Sequence, residues 1–203
     1  MCVSAGGKAG LTEGVITAGS GRGFVVESVG ERLVVTAAHC LPFLPPAQSF
    51  FGPEKRTYGP LLARLADEPR AWAVCRFLDP IADIAVFGSP VNPHADEYKA
   101  LLGTAAAFSI AGTLRNPVNF WVPGRLLSLD CRRWFSCTVR HFGGPLWITH
   151  AAEVIRDGMS GSPIVTEIGT AIGVVCTAAA PWEGGPNARL SDNLPGWLLR
   201  DAV

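Results

Sequence analysis

This sequence predicts an all-β fold, and two observations carry the prediction. Its 23 glycines and 16 prolines are spread along 203 residues. Between them lie short runs of Val, Ile, Leu and Phe, the punctuation of many short strands. These runs fall into two sets on either side of Gly88–Glu97, a Gly, Ser, Pro, Asn and His stretch that is the best linker near the midpoint. Two successive antiparallel β units of similar size are the economical reading.

In chain order, Gly14–Val29 and Arg32–Ala37 read as two strands meeting in a tight turn at Gly30 and Glu31. Leu41–Pro60, rich in proline, glycine and phenylalanine, reads as a loop. Leu61–Ala66 and Ala71–Leu78 form a second expected hairpin around Asp67, Glu68 and Pro69. Ile81–Phe87 reads as a short strand whose apolar residues surround one carboxylate, Asp83. Beyond the linker, Phe108–Ala111, Val118–Leu129, Phe135–Phe142, Leu146–Ala152, Pro163–Ile168 and Ala171–Ala178 have strand composition. Helix is expected only within Leu190–Ala202, where Pro195 and Gly196 interrupt it. No internal repeat or low-complexity tract is present.

With 48% hydrophobic residues, the chain can bury one large or two small cores without cross-links. Lys plus Arg equals Asp plus Glu at 17 each, so no basic face marks a nucleic-acid binder. Met1–Gly10 has one lysine and no apolar run, and so fails as a secretory signal. No stretch approaches the roughly 18 apolar residues of a membrane span. Six cysteines, at 2, 40, 75, 131, 137 and 176, would allow 15 full pairings. Their spacing contains no CxxC and no Cys/His zinc pattern, so no metal or other cofactor is expected and reduced core thiols are the simpler reading. A cytoplasmic location follows from the same two observations.

Three residues can do chemistry together. Asp157, Gly158, Met159, Ser160, Gly161, Ser162, Pro163 and Ile164 place a serine between two glycines on a turn into an apolar strand. Serine is a weak nucleophile at its free pKa and needs a base with an orienting carboxylate. His39 ends the apolar run Leu33–Ala38 and is the obvious base near neutral pH. Asp83, in Ala82, Asp83, Ile84, Ala85 and Val86, is costly in an apolar setting unless hydrogen bonded, and a histidine Nδ1 proton would satisfy it. Taken singly, each has a plain structural explanation.

Taken together, in the order His, Asp, Ser, these residues resemble the trypsin-like, chymotrypsin-fold serine peptidases. Gly21–Val26 looks like the opening strand of the bacterial branch that includes the HtrA and glutamyl endopeptidase families. Val35–Cys40 is similar to the family's histidine motif, Asp83–Val86 to its aspartate motif and Gly158–Pro163 to its serine motif, with Ser162 where many members have glycine. The resemblance implies two six-stranded antiparallel β-barrels with the site in the cleft between them. Residues 1–92 would carry His39 and Asp83, and residues 93–203 would carry Ser160 and the primary specificity pocket. It further implies a serine endopeptidase working through an acyl-enzyme, with the Gly158 and Ser160 amides as oxyanion hole and a protein or peptide as substrate. Nucleic-acid and membrane partners are not expected.

The departures from the family pattern are informative. Met159 stands where zymogen-activated members carry an aspartate, so no N-terminal clip is expected. Cys40 follows the histidine as in secreted relatives, but Phe24 and its neighbours offer no sulfur partner. The resemblance places the pocket base at Val154 and its wall along Val174–Ala178, with Val175, Cys176, Thr177 and Ala178 as substrate-binding positions. These predict a preference for small or apolar side chains, with Asp157 near the rim. His94, His141 and His150 are expected on the surface, and Trp121, Trp134, Trp147, Trp182 and Trp197 in packing. About 25 residues follow Ala178, so no PDZ-like extension is expected. Compact relatives in bacterial operons process one dedicated partner, including in defence, and such a role is the expectation here. The alternative is a catalytically silent scaffold that binds protein. The esterase elbow order Ser, Asp, His is absent.

Overall fold

A computed structural model describes residues 9–45, 56–91, 93–111, 121–141, 144–177 and 183–199. Ala178, Trp182, the expected strand ends at Val118 and Phe142, and the middle of the Leu41–Pro60 loop lie outside them. Twelve strands form two closed antiparallel barrels. The first contains β1 (Val15–Ala18), β2 (Gly21–Ser28), β3 (Glu31–Thr36), β4 (Thr57–Arg64), β5 (Ala71–Asp79) and β6 (Ile84–Gly88). The second contains β7 (Trp121–Leu127), β8 (Trp134–His141), β9 (Leu146–Ala151), β10 (Pro163–Thr166), β11 (Ala171–Val174) and β12 (Gly184–Arg189). Hydrogen-bonded neighbours run β1-β2-β3-β6-β5-β4 in one barrel and β7-β8-β9-β12-β11-β10 in the other, the same order twice.

Period-two alternation explains why several strands are apolar on both faces. In β2 and β3, Val25 and Val34 face the first barrel's interior, while Phe24, Val26, Leu33 and Val35 face a third core between the barrels. β6 repeats this, with Ala85 and Phe87 inward and Ile84 and Val86 outward. In the second barrel Leu126, Ile164 and Ile172 point inward, and Leu127, Val165, Ala171 and Val174 join the shared core. Fully burying one such side chain contributes about 1.5 to 3 kcal/mol, so the shared core fixes how the barrels dock.

Several expectations are corrected. Gly14–Val29 is two strands, because Gly19, at φ +58, turns the chain between β1 and β2. The next turn falls on Val29 and Gly30, φ +50 and +73, between the paired residues Ser28 and Glu31. Both centres at positive φ match a two-residue primed hairpin turn. β4 starts at Thr57, inside the expected loop. Asp83 lies on a turn before β6, not within a strand. Phe108–Ala111 is a tie between barrels rather than a strand. Phe108 N–H donates to Val25 O at 2.8 Å and Ala111 N–H to Ala171 O at 2.9 Å, and Phe108 packs edge-on against Phe24.

The expected linker gives way to helix α2 (Ala95–Gly103; α1 is the short Ala9–Thr12). Ala95, Tyr98 and Leu102, spaced three and four apart, are its buried face, and Tyr98 Oη donates to Arg32 O and Phe87 O of the first barrel. The C-terminal expectation holds as two short helices, α3 (Leu190–Asn193) and α4 (Gly196–Leu199), broken at Leu194 and Pro195. β12 went unread because Gly, Gly, Pro and Asn are poor strand formers. Among the tryptophans, Trp121 and Trp197 are partly exposed rather than core, and Arg140 lies over the Trp121 ring. His94 stacks on Trp72 at 4.0 Å instead of pointing freely into solvent. No helix among the described residues is long and apolar enough to cross a membrane.

Candidate active site

His39 sits on a single 3-10 turn, Ala38–Cys40, at the end of β3. On so tight a turn successive side chains diverge: Ala38 enters the first barrel's core, Cys40 enters the shared core, and His39 is left with a half-exposed ring. Asp83 is brought alongside by the pairing of β3 with β6, in which Thr36 faces Ala85. The turn before β6 is shaped by Asp79, whose Oδ1 accepts from the Ile81 and Ala82 amides at 2.9 and 3.0 Å. Asp83 then takes φ +56, a conformation costing on the order of 1 kcal/mol or more for a non-glycine residue.

That strain aims the carboxylate. His39 N–H donates to Asp83 Oδ1 at 2.8 Å and His39 Nδ1–H to Oδ2 at 2.6 Å, while Ala38 N–H donates to the Asp83 carbonyl at 3.2 Å. An ionised carboxylate only accepts, so the proton resides on Nδ1 and Nε2 is left as the basic nitrogen. Cys176 supports the pair from the second barrel, its thiol 3.4 Å from the Asp83 carbonyl oxygen.

Ser160 lies on the turn between β9 and β10. Gly158 and Gly161 adopt φ +85 and +81, and the turn is closed by Met159 N–H to Arg156 O, Ser162 N–H to Met159 O and Gly161 N–H to Val175 O. Among the described residues, the Gly158 and Ser160 amides have no acceptor, although Met159, Gly161 and Ser162 each have one. The turn is seated on the first barrel: Arg22 N–H donates to Ser160 O at 2.8 Å. A Cβ on Gly21 would lie 2.6 Å from both Ser160 O and Cys40 Sγ, and one on Gly161 would lie 1.7 Å from Arg22 O. Ser160 therefore adjoins the residue following His39. No hydrogen bond joins Ser160 Oγ to His39 Nε2 in this structure; such bonds often tighten only with substrate bound.

Met159 is fully buried among Ile155, Ile164, Ile172 and Val175. Cys40 is a free thiol that burial and the Asp83 charge push up to about 11, so at neutral pH it is an inert neighbour of His39.

The expected specificity residues separate. Val154 lines a cavity of about 510 Å³ with Leu129, Asp130, Ala152, Glu153 and Arg156. Val175 and Cys176 are buried in two different cores, Thr177 is exposed with its hydroxyl on Pro186 O, and Asp157 is exposed. Ile155, one residue beyond Val154, packs toward Gly184, which also abuts Thr177 O. His150 is exposed, and His141 Nε2 accepts from Gly144 N–H. Sequence reasoning missed Arg22, a buried arginine on β2; its one signal is a charge between two glycines in an apolar strand.

A family model, the trypsin-like peptidase domain, matches residues 20–174. No curated protein matches the sequence significantly. Among solved structures the chain is similar to the serine protease of a human pathogenic astrovirus, at 18% identity and TM-score 0.55 over 91% of this chain and 94% of that one. It is also similar to the Rv3671c protease of M. tuberculosis in its active form, at 18% identity and TM-score 0.54 over 93% and 78%. At such identity these likenesses speak to the fold, two six-stranded barrels, and the family match speaks to the kind of protein. The chain belongs to the trypsin-like peptidase family, serine proteases of the chymotrypsin fold.

Proposed function

We propose that the chain is a serine endopeptidase in which His39, Asp83 and Ser160 act as a triad. The observation that carries this reading is the doubly bonded His39–Asp83 pair, which leaves Nε2 basic, next to a serine turn docked on the same barrel. His39 Nε2 takes the Ser160 hydroxyl proton as Oγ bonds to a peptide carbonyl carbon. The imidazolium, stabilised by Asp83, returns that proton to the leaving nitrogen as the C–N bond breaks, and water then releases the acyl group by the same steps. The Gly158 and Ser160 amides, which lack acceptors among the described residues, would receive the oxyanion, and losing one such donor typically costs about 3 to 4 kcal/mol.

Met159 supports an enzyme competent without zymogen cleavage, since a buried thioether has no ion pair to form. The preference for small or apolar side chains belongs to the same proposal and rests on the apolar sequence around Val154 and Val174–Ala178; a peptide library cleaved mainly after arginine would overturn it. The sulfur-free strand opposite Cys40, at Phe24 and its neighbours, supports a reducing compartment. The same reading assigns the enzyme to a bacterial cytoplasm, with one dedicated partner protein as substrate. The test is labelling by a fluorophosphonate probe, read by intact mass: wild type gains one adduct and Ser160→Ala none. No labelling of wild type would favour a silent binding scaffold.

A further inference from the structure

The Arg22 side chain is buried, at 4% exposure, yet among the described residues no carboxylate forms an ion pair with it. An unpaired buried charge is expensive, and its solvation must be replaced by hydrogen bonds. Arg22 replaces it with main-chain oxygens of the other barrel. Nη1 donates to Leu127 O at 3.1 Å, and Nη2 donates to Ser128 O at 3.0 Å and Leu129 O at 2.8 Å. Nη1 also reaches Ser162 Oγ, and Nη2 reaches Cys131 Sγ, each at 3.4 Å. Burial pulls the guanidinium below its ordinary pKa, with Cys131 and Asp130 opposing. The planar fork suits three successive carbonyls in a way a single ammonium cannot.

These bonds converge on one turn from both sides. The Arg22 amide holds Ser160 O, its carbonyl abuts Gly161, and its side chain reaches Ser162. On the other side it fixes Leu129, whose Cδ1 lies 3.4 Å from where a Cβ of Gly158 would stand. The two amides without acceptors, Gly158 and Ser160, thus lie between two walls that one guanidinium ties together.

We propose that Arg22 is a positioning residue for the oxyanion-binding turn: its guanidinium locks the Leu127–Leu129 segment against Gly158–Ser162, keeping the Gly158 and Ser160 amides convergent. This rests on Ser160 being the nucleophile. Met159 cannot anchor the turn by charge from within the second barrel, and Arg22 does so from the first.

The test compares wild type, Arg22→Met, Arg22→Lys and Ser160→Ala at a temperature where circular dichroism shows each folded. Three quantities are read: the fluorophosphonate labelling rate, kcat and KM for p-nitrophenyl acetate, and affinity for phenylboronic acid, whose tetrahedral adduct carries charge into the turn. Arg22→Met is expected to slow labelling and kcat by about 100-fold or more and weaken the boronate by a similar factor, with KM within about threefold. Arg22→Lys should recover part of the loss and remain at least about tenfold below wild type. A merely structural role would lower the melting temperature while leaving folded molecules with wild-type rates. Equal labelling of wild type and Arg22→Met overturns the proposal. Should Arg22→Met not fold, a folded Arg22→Lys reacting at the wild-type rate overturns it instead. Failure of wild type to label overturns the nucleophile reading, and with it this role for Arg22.

Discussion

The two barrels repeat one strand order and secure their candidate site residues in different ways. In the first, His39 and Asp83 are held mainly from within: three hydrogen bonds join Ala38 and His39 to Asp83, the β3–β6 register brings the two turns together, and from the other barrel the Cys176 thiol reaches the Asp83 carbonyl. In the second, Ser160 lies on a turn with two left-handed glycines whose outer face is held by Arg22 and Gly21 of the other barrel. The His39–Asp83 half is therefore secured chiefly by its own barrel, whereas the serine turn adds contacts with the other barrel to its own internal hydrogen bonds. If these residues act as the proposed triad, function depends on the inter-barrel contact as well as on either barrel.

The largest effects that can break this comparison are on chemistry. Ser160→Ala should abolish labelling and lower kcat by about 10⁶, and Asp83→Asn, which spares the geometry but upsets the His39 tautomer, by about 10⁴. Steady-state hydrolysis of an activated ester measures both. An Asp83→Asn enzyme with near-wild-type kcat would mean that the His39–Asp83 half is not the catalytic half.

Next come the glycines. Gly161→Ala combines φ +81 with a Cβ 1.7 Å from Arg22 O, and should cost at least about 4 kcal/mol of stability by urea unfolding. Gly30→Ala, φ +73 in the first barrel's open hairpin with no atom within 4 Å, carries only left-handed strain of about 1 to 2 kcal/mol. Similar costs would contradict the dependence of the serine turn on docking.

Met159→Asp buries an unpaired carboxylate in the second barrel and should cost about 3 to 5 kcal/mol. Near-wild-type stability would show that a cation reaches this position.

The smallest effect is alkaline. Cys40 is raised from 9.0 to about 11 and Cys137, inside the second barrel, to about 12, chiefly by burial. A folded pKa above the unfolded one favours the native state fully below pH 9, and that contribution fades as pH rises through the folded value. Stability should therefore fall from pH 9 upward, the Cys40 share amounting to roughly 2 to 3 kcal/mol by about pH 11. Cys40→Ala should make the decline between pH 9 and about pH 11 shallower without removing it, because Cys137 titrates from the same unfolded value.

Period-two apolar runs were legible for β2, β3, β5, β6 and β7–β11 because each buries a face or two. β12 was not, since Gly184 and Asn187 pair with β9 on either side of an irregularity at Gly185 and Pro186, and only Ala188 and Arg189 pair with β11. Helix α2 was hidden because Pro, Asn and His before it signalled a loop, and its buried face is just Ala95, Tyr98 and Leu102. The His, Asp and Ser positions could be read from local motifs, because each motif encodes its own turn. Arg22 could not, because its partners lie 105 to 140 residues away.

The sequence by itself determined the all-β class, through apolar periodicity and turn residues, and the order of the candidate site residues, whose motifs carry the resemblance to the family. The tertiary structure decided what lies at long range. It decided that Asp83 sits on a strained turn pointing both oxygens at His39, that Val154 parts from Val175 and Cys176, and that a buried arginine joins the barrels at the serine turn. Packing and hydrogen bonds between distant segments depend on three-dimensional closure, which no local window of residues contains.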